Sequence, residues 1–218
     1  MTFNAEGLQD EKGRQIRVVL GNTAKDGSGT AYVPLLDDDG KTIISPISGA
    51  PFSVIDTQVI DGSLGIYAAG DVVGADDCCT TLAVMWEWDV ARENGGYVLI
   101  TNLVLTNETP NIAAQYDLLL SNSNVTSAEL RDNFPSDFPL VGDRDKNLGV
   151  IGFPYSVARG ATVLTTTEAS LSTAGSNLPK LVKCAAGTTK IYGILVTRTA
   201  YTQVATDDLT IVMSGEQY

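Results

Sequence analysis

Glu87 and Asp89 stand two residues apart in the run from Thr81 to Val90. If that run is a strand, its rise puts the two carboxylates on one face, roughly 7 Å apart. Glycoside hydrolysis asks for little more than two carboxylates about 5 to 10 Å apart. The chain contains no histidine, which removes the commonest general base, the commonest zinc ligand and the usual catalytic triad. Carboxylates are therefore the first candidates for acid–base work. The competing expectation is the outward face of an amphipathic strand, since no other reactive residue converges on the pair. Trp86 and Trp88 occupy the opposite face of the same run. Two exposed indoles could stack sugars or plug a partner's pocket. In line with Leu82, Val84 and Val90, they are expected to fill a core or a subunit interface. Arg92 follows at the strand end, placed to pair with Asp89 or to stay in solvent.

The other reactive types are weaker candidates. Asp37, Asp38 and Asp39 suggest calcium. A calcium loop, however, spaces its carboxylates at alternate positions and closes with a distant acidic ligand. Gly40 comes too early here and no glutamate follows, so a solvated turn is expected. In Asp143-Arg144-Asp145 the arginine would neutralise a cation site. Gly21 to Gly29 superficially resembles a phosphate-binding loop but lacks the Gly-Lys-Ser/Thr ending. The cysteines are Cys78, Cys79 and Cys184. An odd count without an export signal argues against a disulfide framework, and no base stands near Cys184 to make it a nucleophile. The sequence thus predicts no catalytic residue, no cofactor and no metal site.

Elements that would position these residues read as strands. Thr81 to Val90 alternates with period two. Ala91 to Gly96 ends in Asn-Gly-Gly, which supplies the positive φ of a tight reversal, and Tyr97 to Leu105 is apolar almost throughout. These predict one long hairpin whose second strand is covered on both faces. Tyr32 to Leu36 and Lys41 to Ile47 are expected to form a second hairpin across Asp37–Gly40. Thr126 to Asp132 has capping-box spacing and predicts one or two helical turns. Altogether about a dozen short strands recur at intervals of about ten residues, the pattern of an all-β antiparallel β-sandwich or jelly roll. The expected division is residues 1–62, an N-terminal arm or extension with a β-hairpin, and residues 63–218, the sandwich domain.

The chain has 218 residues, with 14 Lys plus Arg against 26 Asp plus Glu, a formal net charge of −12. So acidic a surface repels nucleic-acid backbones and anionic membranes. No apolar run approaches the roughly 20 residues of a membrane helix, and the N-terminus lacks the apolar segment of a secretory signal. No nucleic-acid partner, no membrane and synthesis in a cytoplasm are expected.

Several short stretches form a familiar series: Tyr67-Ala-Ala-Gly-Asp-Val-Val-Gly74, Asp89-Val-Ala-Arg92-x-Asn94-Gly95-Gly96 and Tyr116-Asp-Leu-Leu-Leu120-x-Asn122. Beyond them come Asp132-Asn133, Leu148 to Phe153, Ile191 to Leu195, Ala200-Tyr201-Thr202 and Asp208-Leu209. The series, over residues 66 to 213, resembles a family of virion structural proteins of tailed bacteriophages that includes capsid decoration, or cement, proteins. The resemblance implies a β-sandwich that forms homo-oligomers, commonly homotrimers, and sits on the outer surface of the phage head. The partners it implies are the major capsid protein and copies of itself. It implies no catalytic position. Trp86, Trp88, Arg92 and Phe3 are the expected subunit or capsid interface residues. A phage fibre or carbohydrate-binding module, with the two tryptophans as its platform, is the alternative.

Overall fold

The computed structural model describes residues 35–36, 42–43, 49–61, 65–75, 85–125, 130–158, 164–203 and 206–218. Phe3, Asp37–Asp39, Cys78, Cys79, Thr81–Val84 and the first four residues of the expected helical turn lie outside them. The chain divides into two compact units, residues 1–48 and 49–218. In the first, β1 (Leu35–Leu36) pairs antiparallel with β2 (Thr42–Ile43), as the expected hairpin requires.

The second unit is built from antiparallel strands. One sheet runs β10 (Val157–Ala158), β11 (Thr165–Ser170), β7 (Tyr97–Asn107), β15 (Asp207–Gln217), β3 (Ala50–Ile60), and β12 (Lys180–Lys183) lies beside β11 along β7. The other runs β5 (Val72–Val73), β13 (Lys190–Thr197), β8 (Tyr116–Ser121), β9 (Asn147–Phe153), with β6 (Trp86–Asp89) following β5 along β13. A short pair, β4 (Ile66–Tyr67) with β14 (Tyr201–Thr202), stands apart from both. Among the described residues there is no α-helix. Leu130 to Asp132, the described end of the expected helical turn, is irregular chain with a bridge at Asp132.

β3 pairs with β15 over all eleven of its residues. The unit boundary therefore falls at residues 48/49, before β3, and not near residue 62 as the turn at Asp61-Gly62 suggested. The long pairing holds β3 in the sheet more strongly than a local turn signal can mark it off.

The expected hairpin of β6 with β7 does not form: β6 pairs with β13, and β7 with β11, β12 and β15. Both strands carry a heavy inner face, and opposite sheets let those faces meet across a common core. The turn between them is as expected at Gly95 (φ 73°), closed by the Gly96 amide on the Glu93 carbonyl, but it is otherwise anchored elsewhere. The amides of Val90, Ala91 and Gly95 donate to the carbonyls of Thr189, Thr189 and Thr188, and Gly96 accepts from Cys184.

Leu103, Leu105, Leu209, Ile211 and Met213 from the first sheet, and Leu118, Leu120, Ile151, Ile191 and Leu195 from the second, join one core cluster. β7 changes parity within this core. Val98 and Ile100 point inward before Leu103 and Leu105, and Thr101 is the extra residue of a bulge opposite Ser214/Gly215. The strand covered on both faces is β13, not β7. Ile194 and Val196 meet a second cluster with Val72, Met85, Val125, Leu130 and Phe138, which packs Val125 and the 130–138 segment onto the second sheet's outer side. The outward residues of β7, among them Val104 and Thr106, are only half-buried.

Trp86 and Trp88 are each 1% exposed and stack on one another at 6.2 Å, 11° from parallel. Gly193, opposite Trp86 in the register, makes room for Trp88. A Cβ there would meet Leu118 Cδ1 at 2.8 Å and Trp88 Cζ3 at 2.9 Å. Gly193→Ala is therefore expected to destabilise the folded chain by about 1–3 kcal/mol through overpacking, read from the denaturant midpoint at unchanged m-value.

Candidate functional site

The β6 carboxylates face outward, as strand alternation required. Glu87 pairs with Lys190 across the β6–β13 register, and the hydrogen bond from the ammonium to Glu87 raises the Lys190 pKa. Asp89 is exposed. Asp56 of β3 comes to the same edge. Its Oδ2 accepts the Glu87 amide at 2.8 Å and its Oδ1 the Thr57 amide at 2.9 Å. Burial lifts the Asp56 carboxyl above its usual value, and the Glu87 charge adds a smaller push. The arrangement closes one side of the molecule, because the Asp56 carboxylate ties the edge strand of one sheet to the backbone of the other. Two outward carboxylates on an open strand, one already held by a lysine, do not enclose a sugar ring.

Trp86 and Trp88 lie inside the chain's own core. The Trp88 Nε1 proton is directed at the Ile211 carbonyl, 3.5 Å away. Of the core and interface roles open to them in sequence, the core is where they sit, and neither indole presents a face to a sugar or a partner. Arg92 is exposed in the turn after β6, and among the described ion pairs none joins it to Asp89. Asp143, the last residue of a 3-10 turn, is tied to Lys146 at 2.9 Å. Cys184 is buried, and burial, with a lesser push from Asp89, drives its thiol up to about 11. No group of three or more metal-ligating side chains occurs among the described residues.

What the fold does assemble is a buried polar node. The Asp132 carboxylate has no exposed surface. Its Oδ2 accepts the Tyr67 hydroxyl at 2.7 Å and its Oδ1 the Gly74 amide at 3.0 Å. Asp71, also buried, accepts the Ala68 amide at 2.6 Å. The Asn133 amide, oriented to suit its neighbours, donates to Asp71 Oδ2 (3.2 Å) and the Ile66 carbonyl (3.0 Å). Backbone bonds lace the same segments together, with Val72 donating to Phe134, Asn133 to Val72 and Thr197 to Asp71. Tyr67 stacks on Tyr201 at 4.9 Å, 2° from parallel, and Tyr116 meets Tyr201 edge-on at 5.8 Å. Burial first, and the Asp132 charge second, push the Tyr67 phenol far above its ordinary range. Burial does the same to Tyr116 and Tyr201. Held so firmly protonated, the Tyr67 phenol donates to Asp132, and the rings of Tyr116 and Tyr201 serve as packing surfaces.

Beside the node, Thr109–Ala113 and Ala200–Thr202 border a cleft of about 300 Å³. Tyr201 is the one titratable residue in its lining. Behind it, Gln203 Nε2 donates to Thr109 Oγ1 at 2.7 Å, and Thr109 Oγ1 donates to Asp207 Oδ2 at 2.5 Å. The lining could receive a small group, and among its described residues there is no acid–base pair to act on it.

Residue-type reasoning missed the node, yet its members were on view. Tyr67, Asp71 and Gly74 come from one of the quoted stretches, and Asp132, Asn133, Tyr116 and Tyr201 from three others. Comparison with known protein families and with curated proteins finds no match.

Two outcomes follow. Tyr67→Phe removes a donor from a buried carboxylate and is expected to cost about 1.5–3 kcal/mol, measured by denaturant unfolding. Cys184 should resist iodoacetamide at pH 8 in the folded chain and react once the chain is unfolded, as site-resolved mass spectrometry would report.

Proposed function

We propose that this chain is a non-enzymatic structural protein of a tailed-phage head, a cement or decoration protein bound to the outer capsid surface. In this reading the two sheets form a β-sandwich of the jelly-roll kind. Residues 1–48 serve as an arm, and the working partners are the major capsid protein and further copies of the chain. The observation that carries it is the convergence of the quoted stretches. Tyr67, Asp71, Asp132, Asn133 and Tyr201, spread over 135 positions (201 − 67 + 1 = 135), meet in one node that holds segments in place. Residues shared with a structural family are expected to do this, and residues shared with an enzyme family would meet around a substrate.

The surface supports the same reading. A net charge of −12 suits a protein that faces away from packaged nucleic acid. The β3/β6 side and the β9 edge are guarded against uncontrolled pairing. Asp56 and Gln58 of β3 accept the amides of Glu87 and Ala75. At β9, Gly152 donates to the Ser176 carbonyl, and the Asn177 side chain is directed at Val150. With those edges guarded, assembly is left more to faces and loops, where geometry restricts the partners. Many weak contacts of that kind, multiplied by capsid symmetry, resist internal pressure through avidity. The carbohydrate-binding alternative loses its platform with both indoles buried.

The test is reconstitution. Purified chain mixed with heads that lack their outer protein should bind at a fixed number of copies per capsid and raise the temperature at which the heads release DNA. Absence of saturable binding would refute the proposal.

A further inference from the structure

The strand β14 (Tyr201–Thr202) is paired along one side only, with β4. Tyr201 stands opposite Tyr67 and Thr202 opposite Ile66, and the Gln203 amide donates to the Gly65 carbonyl at 3.0 Å. In an antiparallel ladder that bond makes Thr202 and Ile66 a non-hydrogen-bonded pair, so the Thr202 amide and carbonyl point away from β4. Among the described residues neither group has a hydrogen-bond partner. On that side lies the cleft of about 300 Å³, whose described lining includes Ala200, Tyr201 and Thr202 and no residue of β4. Its opposite wall, Thr109–Ala113, is firmly anchored. The Thr165 hydroxyl donates to the Thr109 carbonyl at 2.9 Å and accepts the Ile112 amide at 3.3 Å, and the Ser156 hydroxyl donates to the Ile112 carbonyl at 2.6 Å. Between and beside these anchors, the backbone groups of Asn111 and Ala113 make no hydrogen bond among the described residues. One gap therefore separates an open strand margin from a fixed loop, and both sides carry unpaired backbone groups.

We infer that this cleft takes up a short extended segment of another polypeptide, neutral or basic in composition, which adds a strand to β14. An unpaired amide and carbonyl on a strand margin are what an extended segment pairs with. The size fits. The Ala200–Thr202 wall is roughly 10 Å long at about 3.3 Å per residue, the length of a tripeptide. A cleft of about 300 Å³ stands at the lower end of ligand pockets. Charge selects the composition. Tyr201 is the one titratable side chain in the described lining. Directly behind it Asp207 accepts the Thr109 hydroxyl, and Glu108 accepts the Asp208 amide at 3.4 Å. Arg198, the cation that precedes this wall, is turned to Asp117 at 3.5 Å. An acidic segment would meet that carboxylate group unscreened, whereas a basic one is attracted. A contact of this size is weak alone and gains strength by repetition or tethering. The inference does not rest on the head-binding proposal.

Amide chemical shifts of the isotopically labelled full chain read the site residue by residue. Acetyl-Val-Lys-Val-amide, titrated to millimolar concentrations at low salt, should shift the Thr202, Asn111 and Ala113 amides saturably. Acetyl-Val-Glu-Val-amide should bind at least about threefold more weakly, and added salt should narrow the difference. The lysine peptide with methylated backbone nitrogens cannot donate to a strand and should bind at least about tenfold more weakly. Thr202→Pro removes the outward donor without removing a bond to β4, and Ala113→Phe fills the gap from the other wall. Each should weaken the lysine peptide by a similar factor, with thermal melts showing that the variant is folded. The methylated peptide needs no variant, so the comparison stands even if both substitutions unfold the chain. Absence of saturable shifts at these amides would overturn the inference, as would equal binding of the methylated and unmethylated peptides. Shifts with glucose and none with the lysine peptide would assign the cleft to a small hydroxylated ligand and overturn it as well.

Discussion

A carboxylate with no exposed surface is the constraint on which the rest of this fold depends. Burying a charge costs several kcal/mol unless donors surround it. Asp132 has the Tyr67 hydroxyl and the Gly74 amide, one from each end of the 67–74 segment. Its position therefore ties three stretches together: the chain before β6, the irregular run after β8, and β14, whose Tyr201 stacks on Tyr67. Once Asp132 is held, Leu130 and Phe138 on either side of it are brought over the outer side of the second sheet, and Ile194 and Val196 are covered. A polar node at one end thus decides which sheet is buried on two faces.

From that asymmetry the surface follows. The covered sheet needs apolar residues on both sides of its central strand, and β13 supplies them. The first sheet, on whose outer side no described segment packs in this way, keeps an alternating strand pattern, with Thr57, Val104 and Ser214 among its outward residues. Edge protection is arranged separately by side chains that accept backbone amides across the gap, notably Asp56 and Gln58.

Much of this was legible from residue order alone. Alternation predicted β6 with Trp86 and Trp88 inward and Glu87 and Asp89 outward, because period-two geometry is local and leaves its mark on consecutive residues. Asn-Gly-Gly predicted the reversal at Gly95 for the same reason, since only the backbone of that one residue is at issue. The pairing of β6 and β7 was misread because a tight turn between two strands looks the same in sequence whether the chain folds back within a sheet or crosses to its partner. Of the helical turn expected at Thr126–Asp132, Leu130–Asp132 alone lie among the described residues, and they form irregular chain with a bridge at Asp132. Capping-box spacing is a local signal, and the Asp132 side chain is instead committed to Tyr67, 65 residues away.

The division is therefore one of range. The sequence by itself determined the all-β character, the acidic balance, the absence of histidine chemistry and which side chains share a strand face. Only the tertiary structure decided which strands pair, which sheet the described 130–138 segment covers, and that Tyr67, Asp71, Asp132, Asn133 and Tyr201 form one node. Those outcomes depend on contacts between residues far apart in the chain. Such contacts are selected by shared burial and by the need to satisfy a buried charge, and no short window of residues carries that information.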